Sequence, residues 1–467
     1  MSWSREEILV ATDGEMIRQG SVGVFREIVT DSNRVSNGSV FIALRGVKFD
    51  GHQFLSEAVR RGAACLVVHQ KAAMPRPRNA TVIRVRDTLQ ALGELALYRR
   101  LAVAPKVLAI TGSNGKTTSK EMVAAILERA TLRGNSLRGK VLKAQGNYNN
   151  LVGLPLTLLR LRGQEEVAVL EMGTSSPGEI QRLCRIARPN MGLITTVAPA
   201  HLSGLRTLAG VASEKGELFR ELEPGGIAVV NIDDPWVRRL GARFKGTKVT
   251  YGREGEVRAQ GWRFLGAKGT RFTLRVGGKR HSVRLRLCGE HNLSNALGAA
   301  AMAYGFGADL EAIRRGLEAV RPLPMRMAVE RWRGVGIIND AYNANPSSME
   351  AALKTLGEIG ARGKTVAILG DMLELGSEAR KSHLELGAQA ARYGIDHLYL
   401  FGEQSPRVQE GALRAGMGEK QVTIGKSHRR IARMLGRQVR SGDWLLLKGS
   451  RGMEMEKILA ELKETGL

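Results

Sequence analysis

A glycine-rich loop that ends in Gly-Lys-Thr-Thr carries the clearest chemistry in this sequence. In such a loop, successive backbone N–H groups and a helix N-terminus point at one spot and bind phosphate. Lys116 is predicted to reach the terminal phosphates of a nucleotide, and the Thr117 hydroxyl to bind Mg²⁺. A regular Walker A loop has glycine six residues before its lysine, where this chain has Ile110, so the loop is a variant. Its residues are Thr111, Gly112, Ser113, Asn114, Gly115, Lys116, Thr117 and Thr118.

Two elements must position this loop. Residues 106–110 form an apolar run of strand length, and residues 119–130 repeat apolar side chains with helical spacing at Val123, Ile126 and Leu127. We therefore predict a buried strand, the loop, and a helix over residues 119–130. The alternative is a glycine turn that only joins strand to helix, and the Gly-Lys-Thr-Thr ending argues against it.

Three charged or ionisable residues follow or lie within predicted elements of the same region. Glu171 and His201 each end a predicted buried strand, and parallel strands present their carboxyl ends to ligands. Lys215 lies in a predicted helix over residues 209–219. Each has a plainer interpretation: a strand-end carboxylate as a cap or ion-pair partner, a strand-end histidine as structural, and a mid-helix lysine as a solvated charge.

Two segments are rich in asparagine, whose amide offers a hydrogen-bond donor and an acceptor together and so suits a ligand with many polar groups. The plainer interpretations are a loop before a helix that starts near Pro155 and the cap of a second helix. The segments are residues 145–155, with Asn147, Asn149 and Asn150, and residues 288–297, with Asn292 and Asn295.

Polar turns in the first and last thirds of the chain contain the remaining candidate site residues. Arg326 follows a proline-rich hinge at residues 320–324, and a further polar segment follows a strand predicted at residues 335–339. As plain structure, these turns are a helix cap and solvated loops. The candidates in them are Ser32, Arg34, Asp50, Gly51 and His52, and then Asp340, Tyr342, Asn343, Asn345, Pro346 and Ser347.

Length and composition narrow the class of protein. A chain of 467 residues predicts about three domains, and 43% hydrophobic residues can fill their cores. No apolar run reaches the roughly 18 residues of a membrane span, and the N-terminus lacks a signal peptide's apolar region, so we expect a soluble cytoplasmic protein. Cys65, Cys184 and Cys288 lie far apart, so we expect buried, reduced thiols.

The net charge of +26 taken alone favours nucleic acid or an anionic membrane surface as a partner. The basic residues are spread widely and no nucleic-acid-binding motif is present, so we expect a solvated, arginine-rich surface and no specific nucleic acid. Residues 282–287 alternate apolar and basic side chains, with Val283, Leu285 and Leu287 predicted to face in and Arg284 and Arg286 out. This pattern predicts antiparallel strands with one wet face.

Taken together, the segments resemble the Mur ligase superfamily, a group of ATP-dependent amide-bond-forming enzymes. The resemblance rests on TGSNGKTT, GNYNN, GEHNLSNA and NDAYNANPSS, which are spread over the chain. It implies an α/β fold with three domains of the Mur ligase architecture. These are a UDP-substrate-binding domain at 1–104, a central P-loop-type ATPase domain at 105–322, and a Rossmann-like domain at 323–467 that binds the incoming D-Ala-D-Ala.

The resemblance also implies roles for the candidate residues. Lys116, His201, Lys215 and Arg326 form the implied catalytic group, and Lys215 is implied to carry a carbamate formed with CO₂. The implied ligands of two Mg²⁺ ions are Thr117, Glu171, His201 and Lys215. The implied ATP contacts outside the loop are Asn292, Asn295, Arg326, Asp340 and Tyr342.

The same resemblance implies two small-molecule substrates, UDP-N-acetylmuramoyl-tripeptide and D-alanyl-D-alanine. Asn147, Asn149 and Asn150 are implied to line the muramoyl group. The implied uridine-diphosphate contacts are Ser32, Arg34, Asp50, Gly51 and His52, and the implied dipeptide contacts are Asn343, Asn345, Pro346 and Ser347. The expected reaction consumes ATP through an acyl phosphate and gives a peptidoglycan precursor, ADP and phosphate. Lysine and diaminopimelate both remain open as the third peptide residue, and a monomer is compatible with the sequence.

Three other functions are less well supported. The superfamily member that adds the third peptide residue shares the uridine segment but carries an Asp-Asn-Pro-Arg motif, which this chain lacks. Folylpolyglutamate synthase lacks the uridine-binding module. A basic P-loop ATPase acting on nucleic acid would require a regular Walker A loop, and Ile110 argues against it.

Overall fold

Three large sheets follow one another along the chain, each packed with helices. The structure is a computed structural model that describes residues 2–46, 49–72, 79–360 and 363–464. The α/β class predicted from the sequence is confirmed. A surface turn predicted at residues 72–78 falls almost wholly outside the described residues.

The first sheet has the strand order β2-β7-β6-β5-β4, with β2 antiparallel to the rest. Its inner strand β6 is buried along nearly its whole length, as expected for a continuous apolar run in a parallel sheet. Its strands are β2 (Glu15–Arg18), β4 (Ile28–Val29), β5 (Ser39–Ile42), β6 (Ala63–His69) and β7 (Thr81–Val85). The short strands β1 (Trp3–Ser4) and β3 (Val24–Phe25) form a separate antiparallel pair. The helices are α1 (Arg5–Thr12), α2 (Leu55–Arg60) and α3 (Thr88–Val103), with 3₁₀ turns at Ser32–Arg34 and Gly51–Phe54.

The second sheet is entirely parallel, with the order β11-β12-β8-β13-β14-β15. The order of the strands reverses beside β8, and in such sheets ligands bind at the carboxyl ends of strands near the reversal. Its strands are β8 (Lys106–Thr111), β11 (Val141–Lys143), β12 (Val167–Glu171), β13 (Met191–Ile194), β14 (Ile227–Asn231) and β15 (Thr247–Tyr251). The short strands β9 (Thr131–Leu132) and β10 (Asn135–Ser136) form a separate antiparallel pair. The helices are α4 (Lys116–Leu127), α5 (Gly153–Leu158), α6 (Glu179–Ala187), α7 (Leu202–Leu205), α8 (Leu208–Arg220) and α9 (Pro235–Arg243).

A small antiparallel sheet is attached to this unit. Its strands are β16 (Arg258–Phe264), β17 (Thr270–Val276) and β18 (Lys279–Leu285), and they pack on α10 (Glu290–Phe306) and α11 (Leu310–Ala319). Val283, Leu285 and Leu287 are buried while Arg284 and Arg286 are exposed, which confirms the alternation predicted from the sequence. The last strand ends two residues before the predicted boundary at Leu287.

The third sheet has the order β19-β20-β24-β21-β22-β23, and only its edge strand β19 is antiparallel among the described residues. Strands and helices alternate along this part of the chain, which is the pattern of the Rossmann-like fold that the resemblance implies. The strands are β19 (Ala328–Trp332), β20 (Val335–Asp340), β21 (Thr365–Gly370), β22 (His397–Phe401), β23 (Val422–Ile424) and β24 (Trp444–Lys448). The helices are α12 (Pro346–Ile359), α13 (Ala379–Arg392), α14 (Ser405–Arg414), α15 (His428–Gln438) and α16 (Glu456–Glu464).

The helix after the glycine-rich loop differs from the sequence prediction. It runs over Lys116–Leu127, whereas the apolar spacing predicted residues 119–130. It begins earlier because Gly115, with φ 81°, ends the loop as the helix N-cap. All three cysteines are buried and free, as predicted. Within the described residues, no helix combines the length and the apolar character needed to cross a bilayer.

Candidate active site

The phosphate-binding candidate lies between β8 and α4, at the carboxyl edge of the second sheet. Gly112 (φ 148°) and Gly115 (φ 81°) adopt backbone conformations that other residues rarely take. A Cβ at Gly112 would lie 1.9 Å from Thr195 Oγ1, and a Cβ at Gly115 would lie 2.1 Å from Asn295 Oδ1. The loop requires glycine at both positions, because neighbouring side chains occupy the space that a Cβ would need.

The segment after β13 holds this loop in shape. Thr195 Oγ1 donates to Asn114 O at 2.5 Å, and Ser113 Oγ donates to Ala198 O at 2.8 Å. The Ser113 N–H donates to Thr196 O at 2.8 Å. A loop that is ordered before its ligand arrives loses less entropy on binding. Thr195 and Thr196 were not predicted from the sequence, since threonines after a buried strand carry no distinguishing pattern.

A cavity of about 750 Å³ opens beside the loop, and both the second and third sheets supply its walls. Most of the site residues predicted from the sequence line it. They are Ser113, Asn114, Gly115, Lys116, Thr117, Thr118, Asn147, Asn149, Asn150, Glu171, His201, Asn292, Asn295, Arg326, Asp340, Tyr342, Asn343, Asn345 and Ser347. Four others border the region without forming part of this wall: Thr111, Gly112, Lys215 and Pro346.

Lys116 is the first residue of α4, and its ammonium turns back onto the loop. Its Nζ donates to Gly112 O at 2.8 Å. Desolvation lowers the pKa of Lys116, the Glu171 carboxylate opposes this effect, and the Arg326 guanidinium adds to it. A desolvated cation with one backbone acceptor at the end of a glycine loop is suited to bind an anion that enters the cavity.

Glu171 ends β12, where it pairs with Ile110 of β8. Its Oε1 accepts a hydrogen bond from Asn149 Nδ2 at 2.8 Å, so the carboxylate also fixes the asparagine-rich loop. Its Oε2 is buried and has no hydrogen-bond partner among the described residues. An unpaired buried carboxylate oxygen is unfavourable, and a cation in the cavity would satisfy it.

Lys215 lies in the middle of α8 and is only 1% exposed, which excludes the interpretation as a solvated charge. Within the part of the chain that the structure describes, its ammonium has no hydrogen bond or ion pair. Burial lowers its pKa well below the ordinary value, the nearby Lys116 cation adds to this effect, and Glu214 opposes it. Glu214 is itself engaged, because its oxygens accept from Gly178 N at 2.7 Å and Ile180 N at 2.8 Å.

His201 connects the two walls of the cavity. Its Nδ1 lies 2.6 Å from Glu374 Oε2, and the Ser203 N–H donates to Glu374 O at 3.2 Å. Burial lowers the pKa of His201; the Glu374 carboxylate opposes this effect, while Lys116 and Lys215 add to it. Glu374 was not predicted from the sequence, because it lies 173 residues from His201 in the chain.

The glycine-rich loop also contacts the third sheet directly. Asn345 Nδ2 donates to Asn114 Oδ1 at 2.8 Å, and Asn114 Nδ2 donates to Asn345 Oδ1 at 3.3 Å. Asn114 Nδ2 also donates to Ser347 Oγ at 2.6 Å. The phosphate-binding candidate and the NANPS segment, separated by more than two hundred residues, therefore form one wall of the same cavity.

Asn292 and Asn295 lie at the start of α10, against the loop. Asn292 Nδ2 donates to Cys288 O at 2.8 Å, and Asn295 Nδ2 donates to Asn292 Oδ1 at 3.1 Å. Both are nearly buried, and both line the cavity. The first helical residue is Glu290 and the N-cap is Gly289, so neither asparagine is the cap that the plainer interpretation proposed.

Three models of one protein family match the chain in order. They are the catalytic domain of the Mur ligase family at residues 24–100, the Mur ligase middle domain at residues 110–303, and the Mur ligase glutamate ligase domain at residues 325–451. A curated relative from Escherichia coli K12, named UDP-N-acetylmuramoyl-tripeptide--D-alanyl-D-alanine ligase, is 36% identical and covers 97% of each chain. The chain belongs to the Mur ligase family.

Solved structures and further relatives agree with this membership. A Bacillus subtilis relative of the same name is 35% identical over 95% of this chain and 94% of its own. A crystal structure of MurF from Acinetobacter baumannii superposes with a TM-score of 0.90 at 31% identity and covers 99% of both chains. MurF from Thermotoga maritima in complex with ADP gives 0.81 at 29% identity, covering 94% of this chain and 97% of that one. The three-domain Mur ligase architecture implied by the sequence is confirmed.

In this Mur ligase chain, the third sheet supplies two further charged contacts. Asp340 and Lys448 end the neighbouring strands β20 and β24 and form an ion pair with 2.5 Å between Oδ2 and Nζ. Asp340 Oδ1 also accepts from Met327 N at 3.0 Å, which fixes the backbone next to Arg326. The Arg326 guanidinium stacks 3.8 Å above the Tyr342 ring. Lys448 was not among the predicted site residues, since a lysine at a strand end is common on surfaces.

The predicted uridine-binding residues of the Mur ligase resemblance are not part of this cavity lining. The 3₁₀ turns Ser32–Arg34 and Gly51–Phe54 instead both contact α2. Asp50 caps the second turn by accepting from His52 N at 3.0 Å, and its pKa is lowered to about 2 by hydrogen bonds from the His52 backbone and ring. The structure thus brings the five predicted residues near one helix, away from the phosphate loop.

The donor set fits the Mg²⁺ that the Mur ligase resemblance implies. No group of three or more His, Cys, Asp or Glu residues with metal-site geometry occurs within residues 2–46, 49–72, 79–360 and 363–464. A magnesium ion bound to nucleotide phosphates needs few protein ligands, because phosphate oxygens and water supply the rest. The Thr117 hydroxyl and the unpaired Glu171 oxygen are hard donors that border the cavity, which is consistent with such an ion.

Proposed function

We propose that this chain is an ATP-dependent ligase that joins D-alanyl-D-alanine to UDP-N-acetylmuramoyl-tripeptide. The products are the UDP-MurNAc-pentapeptide precursor of peptidoglycan, ADP and phosphate. The observation that carries the proposal is the contact of Asn114 with Asn345 and Ser347, which joins a phosphate loop to a second substrate segment in one cavity. Relatives that bear this ligase name, at 34 to 36% identity, support the same substrates.

In the first step, the terminal carboxylate of the tripeptide attacks the γ-phosphorus of ATP, and the bond to the β,γ-bridging oxygen breaks. This gives an acyl phosphate and ADP. Negative charge builds on the transferred phosphoryl group, where the loop N–H groups and the Lys116 ammonium stabilise it. Arg326 approaches from the other wall of the cavity and adds a second cation.

In the second step, the amine of the dipeptide attacks the acyl carbon. The carbon–oxygen bond to phosphate breaks, the attacking nitrogen releases a proton to solvent, and an amide and inorganic phosphate result. Asn343, Asn345 and Ser347 offer donors and acceptors that would orient the dipeptide. Substrates that fill the cavity between the two walls would limit the access of water, which would otherwise hydrolyse the acyl phosphate.

Thr117, Glu171 and His201 would hold Mg²⁺, which when bound neutralises charge on the ATP phosphates. Lys215 would join them as a carbamate: its neutral amine attacks CO₂, a carbon–nitrogen bond forms, and a proton is released. The lowered pKa of Lys215 supports this chemistry because only the neutral amine is nucleophilic.

The remaining assignments follow from the substrates. We assign residues 1–104 to binding the UDP group through Ser32, Arg34, Asp50, Gly51 and His52, residues 105–322 to ATP, and residues 323–467 to the dipeptide. Asn147, Asn149 and Asn150 would line the muramoyl peptide, and Asn292 and Asn295 the adenine, with Asp340 and Tyr342 near the nucleotide. ATP and UDP-linked precursors favour a cytoplasmic location, and one chain supplies both cavity walls, which favours a monomer.

The proposal is tested by ATP-dependent phosphate release from the purified protein with UDP-MurNAc-tripeptide. D-alanyl-D-alanine should support release, and single amino acids or folate with glutamate should not. Release with a single amino acid would assign the chain to a ligase that acts earlier on the peptide. Substituting lysine for diaminopimelate in the tripeptide then identifies the third residue by the ratio of kcat/KM values.

A further inference from the structure

The antiparallel sheet β16–β18 carries an unusual concentration of positive charge. Residues 252–287 contain ten Lys and Arg residues and two Glu, a net charge of +8 in a chain whose net charge is +26. Nothing in the proposed ligase reaction uses this sheet. Its charge therefore calls for a separate explanation.

The register of the three strands aligns the arginines into rows across the sheet. Arg275 of β17 pairs with Arg258 of β16 and with Arg280 of β18, and Arg271 pairs with Arg263 and with Arg284. The row between them carries the neutral side chains of Gln260, Thr273 and Ser282. We name the six arginines the arginine face: Arg258, Arg263, Arg271, Arg275, Arg280 and Arg284.

Folding of the sheet does not require this arrangement. The opposite face carries the packing, with Phe272, Leu274, Val276, Val283 and Leu285 all buried in the core of the second unit. Like charges directly opposite each other destabilise an antiparallel sheet. Across the described residues, no arginine of the arginine face forms an ion pair with a carboxylate. The protein thus tolerates an unfavourable array that an anionic partner would neutralise.

The dimensions and the neighbouring residues indicate the kind of partner. Strand spacing and rise per residue give an array of roughly 10 by 14 Å, presented by an open sheet and not by a groove. Trp262, 49% exposed, lies in the irregular stretch between Gln260 and Arg263 of β16. A tryptophan beside several cations is typical of surfaces that adsorb to the headgroup region of a bilayer.

We propose that the arginine face docks the protein onto an anionic lipid membrane surface. Single-stranded nucleic acid is the other polyanion of this charge density, and its binding sites stack successive bases on several aromatic side chains. In the described part of this sheet, Trp262 is the only exposed large aromatic side chain, and the central row is hydroxyl and amide. The observations therefore favour lipid headgroups, which need charge without base stacking.

Vesicle flotation with the full-length protein tests this proposal without any substrate, so its result is independent of the ligase assignment. Vesicles of phosphatidylcholine with phosphatidylglycerol should bind the protein in a salt-dependent manner, and pure phosphatidylcholine should not. The triple variant Arg263→Gln, Arg271→Gln, Arg284→Gln should bind at least about tenfold more weakly. Equal binding of wild type to both kinds of vesicle would overturn the proposal.

A matched control separates the arginine face from net charge. Arg430→Gln, Arg433→Gln and Arg437→Gln remove the same charge from exposed positions of α15 and should change vesicle binding by less than about twofold. Equal loss of vesicle binding in both triple variants would show that only net charge matters and would overturn the proposal. Tighter, arginine-face-dependent binding of a single-stranded DNA oligonucleotide would also overturn it.

Trp262→Phe should remove the blue shift of tryptophan emission that vesicles induce in wild type. Unchanged ligase turnover and melting temperature show that each variant folds.

Discussion

The regions around Lys120 and Lys215 bury a lysine in opposite ways. Lys120 in α4 is 0% exposed, and its Nζ donates to Ala144 O at 2.8 Å and lies 3.1 Å from Glu121 Oε1. Lys215 in α8 is 1% exposed and has no such partner in the described residues. A buried cation with partners is a structural clamp, whereas one without partners is destabilised in its charged form.

This difference in hydrogen-bond and ion-pair partners indicates different roles for the two lysines. Lys120 fastens the asparagine-rich loop to the helix that follows the phosphate loop, since Ala144 directly precedes that loop. The surroundings of Lys215 instead favour its neutral amine, and the neutral amine is the form that reacts with CO₂. Lys116 lies between these extremes, with one backbone acceptor and the open cavity beside it.

The largest effect is expected from this intermediate lysine. Lys116→Ala should reduce kcat for phosphate release by about a thousandfold or more, because it removes a cation from the developing phosphoryl charge. The measurement is steady-state kinetics with both substrates, beside circular dichroism to establish the fold. Turnover within tenfold of wild type in a folded variant would contradict the phosphate-binding role.

Lys215→Ala tests whether the unpartnered lysine is reactive. We expect about a hundredfold loss of kcat, with partial recovery when acetate or formate supplies the missing carboxylate. Mass spectrometry of the native wild-type protein in bicarbonate should show one added CO₂. Lys120→Ala is the matched control, and these acids should not rescue it, since its ammonium acts as a donor to carbonyls. A native mass without the adduct in active enzyme would disprove the carbamate.

Substitution of the two lysines by methionine should affect the free energy of unfolding differently. Lys120→Met removes the donor from two backbone carbonyls and a partner from Glu121, and should cost about 2 kcal/mol of unfolding free energy. Lys215→Met should be neutral or stabilising, because it replaces an unpartnered buried amine with an apolar side chain of similar size. Urea denaturation compares the two, and equal destabilisation would remove the distinction between them.

The last prediction concerns how the free energy of unfolding depends on pH. The pKa of Lys215 is lowered in the folded chain and returns to its ordinary value of 10.5 on unfolding. Below 10.5 and above the lowered value, the unfolded state binds a proton that the folded state does not, so stability rises with pH in this window and is lost as pH falls. Wild type should gain up to about 1.4 kcal/mol per pH unit relative to Lys215→Met in CO₂-free buffer. Parallel pH profiles would contradict the lowered pKa.

Local patterns predicted the parts of this structure that depend on nearest neighbours. The strand before the glycine-rich loop and the inward-facing Val283 and Leu285 follow from apolar spacing alone. The start of α4 was misplaced by three residues because the left-handed Gly115 sets it, and apolar spacing does not report backbone conformation. The charged helices α14 to α16 were missed, since their apolar faces are narrow.

The glycine-rich loop pattern indicates Lys116 and Thr117 directly, whereas roles for the other candidate site residues follow only from the family resemblance. The contacts that assemble it, such as Asn114 with Asn345 and His201 with Glu374, join positions far apart in the chain. No local pattern encodes such a contact, because it depends on how separate sheets pack. Glu374 and Lys448 were missed for this reason, although both lie in segments that matched the family.

The paired amides of Asn114 and Asn345 have a consequence for the turnover cycle. Each amide donates to the other, so breaking this one contact exposes two neutral amides to water and separates no charged groups of its own. Water replaces such neutral hydrogen bonds at little net free energy. The amide pair therefore fixes how the two walls meet, while adding little to the free energy needed to separate them.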